Sequence, residues 1–77
     1  MRLTTDCVIN GVLVDLFVHG SVSEDGEYTQ LDKVVVRLKN AELFRFEHGE
    51  ESGILMESEI GDHIISMAFK ILQHEQV

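Results

Sequence analysis

A small set of acidic and histidine side chains are the residues of this chain whose types and spacing could support chemistry. Asn10-Gly11 suits a two-residue type I′ hairpin turn, because both positions tolerate positive φ. With the turn there, Asp6 falls directly opposite Asp15. Like charges at an opposed cross-strand pair are mildly destabilising unless something neutralises them. One reading is a bound cation, and the other is a balancing base, Arg37 or Lys39, on a neighbouring strand. Divalent ions normally take more oxygen ligands than two, so the base is favoured and no metal is expected.

Glu59 and His63 are four residues apart, with His74 about three helical turns further on at a similar angle. Such a pair could do general acid–base work, since histidine titrates near neutrality. No nucleophile or third orienting group accompanies it, and a solvated helix face is the simpler reading. His48, in His48-Gly49-Glu50-Glu51, fits a polar loop, and His19 ends a strand. Cys7 falls among apolar positions, where a small core hydrophobe is expected rather than a reactive thiol. No Gly-x-x-x-x-Gly-Lys run is present, and Gly49 and Gly53 lie among acids that would repel phosphate. The chain is therefore expected not to be an enzyme and to need no cofactor.

The elements that hold these residues follow from period and punctuation. The Asn10-Gly11 turn sets Ile9 opposite Val12, Cys7 opposite Val14, Thr5 opposite Leu16 and Leu3 opposite Val18, in strands 3–9 and 12–19. Cys7, Ile9, Val12, Val14, Leu16 and Val18 then share one face, and a one-residue slip would exchange the two faces. An acidic turn around Asp25-Gly26 leads to a third strand, 28–38, with Val34, Val36 and Leu38 inward and Lys33, Val35, Arg37 and Lys39 outward. A fourth strand is expected over 41–47, and the short run Ile54-Leu55-Met56 offers a fifth. Ser58 is the expected N-cap of a helix over 59–74, with Glu59 and Asp62 near its positive end. On that helix Ile60, Ile64, Ile65, Ala68, Phe69, Ile71 and Leu72 sweep an apolar arc of about 200°, wide enough to predict coverage from two sides. The fold class is α+β: one domain, 1–77, with two layers, an antiparallel sheet of four or five strands and one C-terminal helix on one face.

Charge and size bound the function. Fourteen acids against six bases give a net charge of −8, which disfavours direct nucleic-acid binding. No Lys or Arg lies between Phe46 and Phe69, where Glu47, Glu50, Glu51, Glu57, Glu59 and Asp62 form an expected acidic pole. Four of the bases, Lys33, Arg37, Lys39 and Arg45, fall in one central stretch. At 77 residues the core is small, and the chain has a single cysteine and no cluster of Cys and His at zinc-finger spacing to supplement it. Self-association is the route left, and the outer sheet face offers Val8, Leu13, Phe17 and Val35 for it. Lone-cysteine usage and the lack of a signal-peptide pattern or membrane-length apolar run lead to an expected cytoplasmic location away from membranes.

In its general layout, an acidic single domain with an Asn-Gly hairpin, further strands and a terminal helix, the chain resembles small accessory proteins of phages and other mobile elements. The resemblance implies a module that binds and blocks a host factor, such as a nucleic-acid-handling enzyme with a basic active surface. It rests on layout and assigns no residue a role. The alternative is a structural homo-oligomeric subunit without a separate partner.

Overall fold

The computed structural model describes residues 1–75. Five strands form one antiparallel sheet in sequential order, β1 (Arg2–Ile9), β2 (Val12–Val22), β3 (Thr29–Leu38), β4 (Ala41–Glu47) and β5 (Glu50–Ser52), and the helix α1 (Glu59–Glu75) packs on one face. The two-layer α+β architecture expected from the sequence is the one observed.

The first hairpin has the expected register throughout, from Ile9 opposite Val12 to Leu3 opposite Val18, and it does set Asp6 against Asp15. Asn10 and Gly11 have φ of 50° and 80°, the double positive φ that a type I′ turn requires. Val14, Leu16 and Val18 of the inner face are buried with Val34, Val36 and Phe44, and Ile64, Ala68 and Leu72 of α1 close the core from above. These three helical residues are spaced four apart and so lie in one line along the helix. Val12, assigned to the same inner face, remains 45 % exposed at the hairpin tip.

Three expectations need correction. The fifth strand is Glu50–Ser52, not 54–56, which forms a turn. His48 and Gly49 have φ of 54° and 78°, so His-Gly makes a second two-residue turn with positive φ at both positions, and Glu47 faces Glu50 across it. A residue followed by Gly between two extended runs was the available signal. The second correction is the length of β2, which continues past His19 to Val22 through a bulge between His19 and Gly20, where Asp32 is the extra residue opposite. Gly20 suits this bulge because a Cβ there would collide with the backbone carbonyl oxygen of Gln30 on β3, and it would also sit 2.6 Å from Leu72 Cδ1 at the end of the helix. The third concerns α1. Among the described residues it packs chiefly on β3 and β2, with Leu55 of the preceding turn against the same core, and Phe69 is half-buried outside the core cluster.

The helix starts where the sequence places it. The Ser58 hydroxyl accepts a hydrogen bond from the Gly61 N–H at 3.0 Å and donates to the Leu55 carbonyl at 2.6 Å. One of the free N–H groups of the first turn is thereby satisfied. Gly61 is buried, and a Cβ there would come within 3.1 Å of Phe44 Cε1, so the helix start rests directly on the phenyl ring. At the other end Gln73 donates to the Thr29 hydroxyl at 3.3 Å.

Candidate functional site

The outer sheet face, opposite the helix, is built in rows across the strands. One row runs Val8, Leu13 at the hairpin tip, the next Asp6, Asp15, Arg37, and the third Thr4, Phe17, Val35, Arg45. The apolar cluster expected on this face is thus divided by a charged row. Val8 and Leu13 are 65 % and 61 % exposed, whereas Phe17 is half-buried and Val35 is only 6 % exposed. Val35 is therefore not an open contact residue. Long basic side chains cover apolar surface with their stems while their heads stay in water, and Lys33 Nζ stands 5.9 Å from the Phe17 ring centre. Together Phe17, Val35, Lys33, Arg37 and Arg45 line a shallow depression of about 470 Å³. Register places Arg37 opposite Asp15, but among the described residues no ion pair joins Arg37 or Lys39 to Asp6 or Asp15. Among the described residues no group of three His, Cys, Asp or Glu side chains is arranged to hold a metal ion.

A second bulge, between Val36 and Arg37, sets Glu42 opposite Arg37 and shifts the phase of β4 by one residue. Residues three apart on a regular strand point to opposite faces. The bulge instead brings Glu42 and Arg45 together, and the guanidinium is held by Glu42 at 2.7 and 3.1 Å and by Glu47 at 2.8 Å. Lys33 Nζ adds a contact of 3.5 Å to Glu47. Hydrogen bonds from Arg45 hold the carboxyls of Glu42 and Glu47 below the usual carboxylate range, and Lys33 contributes further for Glu47. Because both pKa values are lower in the folded chain than in the unfolded one, their contribution to stability is complete above about pH 4.5 and is lost as pH falls through the lowered folded values. Arg45→Gln is expected to bring both titrations back up toward 4.5, read as carboxyl chemical shifts in an NMR pH series. Unchanged titrations would show that Arg45 does not set them.

The expected acidic pole splits into three environments. Glu47 is neutralised by Arg45 and Lys33 and faces the outer sheet surface. Glu51 pairs with the inward-facing Phe46, is half-buried, and has its Oε1 enclosed without a hydrogen-bond partner near Gly61. Glu50, Glu57, Glu59 and Asp62 are exposed, and no ion pair engages them among the described residues. Glu59 and Asp62 stand in the first turn of α1, where negative charge is favoured by the helix dipole. Of the six carboxylates expected in the pole, four are thus exposed and outside the ion pairs among the described residues. The Arg45–Glu47 pair was visible as a base and an acid two apart on one strand, whereas the Glu42 contact depended on the bulge.

The remaining candidates stay apart. Glu59, His63 and His74 are all exposed, and no hydrogen bond or ion pair links Glu59 to His63 among the described residues. Cys7 is half-buried against the core, and burial, with a smaller effect from the Asp6 carboxylate, pushes its thiol up and away from the reactive thiolate. No described helix is long and apolar enough to cross a membrane. Compared with protein-family models, with curated proteins and with solved structures, the chain matches none of them.

Proposed function

We propose that this chain is a small protein-binding module that docks a basic surface of another protein on its acidic end, in the manner of an inhibitor or modulator of a nucleic-acid-handling host protein. The observation that carries the reading is the group of four solvated carboxylates, Glu50, Glu57, Glu59 and Asp62, in a stretch of chain without a single Lys or Arg. Exposed carboxylates on a hairpin turn and a helix start create a negative field, and such a field raises the association rate of a basic partner. The kind of partner follows from charge alone, and no residue here is given a catalytic role.

The test is charge reversal at those four positions, Glu50→Lys, Glu57→Lys, Glu59→Lys and Asp62→Lys, leaving the engaged Glu47 and the half-buried Glu51 in place. Exposed side chains contribute little to stability, so circular dichroism should report an intact fold. Partners captured from lysate by the unaltered chain at low salt should be released as salt rises and be absent from the reversed variant. The loss should lie mainly in the association rate, because steering is screened over about 10 Å at 0.1 M salt. Retention of the same partners by the variant would refute the reading. A structural, self-associating subunit is the second reading, and the exposure of Val8 and Leu13 favours it.

A further inference from the structure

The sheet has two edges of different character. The β5 edge is three residues long and carries Glu50 and Glu51. The β1 edge is eight residues long, and its only charges are one base, Arg2, and one acid, Asp6. In a chain of net charge −8 it is the neutral edge. Short, charged edges resist pairing with another strand, and long, neutral ones invite it.

Hairpin geometry fixes which groups that edge offers. Ile9 and Val12 flank the two-residue turn and form a hydrogen-bonded pair, and such pairs alternate along an antiparallel ladder. Met1 and Gly20, which exchange bonds of 2.9 and 3.0 Å, continue the same alternation at the far end. The odd residues of β1 are therefore spent on β2, and the N–H and C=O groups of Arg2, Thr4, Asp6 and Val8 point outward from the edge. Alongside, between β1 and α1, lies a depression of about 600 Å³ with Leu3, Cys7, Met67 and Ile71 in its lining.

We propose that β1 is a dimerisation edge: a second copy of this chain adds its own β1 antiparallel, with Thr4 on the two-fold axis and each Arg2 opposite the other copy's Asp6. The sequence of the strand selects both the occupant and the register. With Thr4 on the axis, two Arg–Asp pairs form and threonine faces threonine, both favourable cross-strand combinations. A shift that puts Thr5 on the axis sets Arg2 against Val8 and Thr4 against Asp6, and a shift to Asp6 opposes two carboxylates. The chosen register also brings each Met1, 45 % exposed, opposite Cys7 of the other copy, beside the apolar depression. The product is a continuous ten-stranded sheet with both helices on one face. Because β5 is at the opposite edge of each sheet, the acidic ends lie far apart, which limits repulsion between two chains of like charge. The interface is independent of the acidic-end reading and uses none of its residues.

Analytical ultracentrifugation of the full chain should show a dimer, and Arg2→Asp and Asp6→Arg should each raise its dissociation constant at least about tenfold, since each makes two like-charge pairs. The double variant Arg2→Asp/Asp6→Arg restores opposite charges in the same register and should recover the dimer. Both positions are exposed, and circular dichroism should be unchanged throughout. In a Cys7→Ser background, Thr4→Cys should be joined to its own copy by a short bismaleimide. Val8→Cys should not, because the two copies of residue 8 would stand about 27 Å apart along the strands. A monomer at about 1 mM, a double variant weaker than either single one, or crosslinking at residue 8 in place of residue 4 would each overturn the proposal.

Discussion

Ile64→Ala is expected to cost about 2 to 5 kcal/mol, a large part of the stability of a domain this small. Ile64 is fully buried, in line with Ala68 and Leu72 along the helix, and the three side chains seal the core residues of β2 and β3. Removing three carbons there forfeits their transfer free energy and leaves a cavity that the sheet below cannot close without breaking its ladder. A domain of this size has about 4 to 12 kcal/mol of stability in total, so the change consumes a large share. In a urea titration the midpoint should fall with the slope unchanged, and the thermal midpoint should drop by more than about 10 °C. A loss below about 1 kcal/mol, the size of a surface substitution, would show that the helix does not seal the core through this residue.

Phe44→Ala is expected to do as much damage, about 3 to 5 kcal/mol. Phe44 is the largest of the fully buried side chains. It faces Val36 on β3 and lies under Gly61, so it joins the sheet to the first turn of α1. Truncation removes the floor on which the helix starts, and the Ser58 cap can hold the first turn but not replace the packing beneath it. Phe44→Leu should recover more than half of the lost stability by refilling most of the volume. If the leucine variant were no better than the alanine one, the ring's role would lie elsewhere than in filling that space.

What the sequence determined by itself is the set of features encoded locally. Asn10-Gly11 admits one tight turn geometry, and alternation of Cys7, Ile9, Val14, Leu16 and Val18 admits one register around it, so the first hairpin and the Asp6–Asp15 opposition were readable residue by residue. Ser58 before a helical apolar period located the start of α1. The lack of any base between Phe46 and Phe69 is likewise read directly from the chain. Tertiary structure decided what depends on residues distant in sequence. The bulge beside Val36 makes Glu42 and Arg45 neighbours, and strand pairing brings Lys33 of β3 to Glu47, which Arg45 of its own strand also engages. Beyond the bulge at Gly20, pairing of Gly20, Ser21 and Val22 with Leu31, Gln30 and Thr29 carries β2 past its expected end. Val35 reads as outward and exposed from its strand alone, yet side chains from neighbouring strands cover it. A period of two tells which face a residue occupies, but exposure on that face is set by the neighbours that strand pairing supplies, and pairing shifts wherever a bulge adds a residue to one strand only.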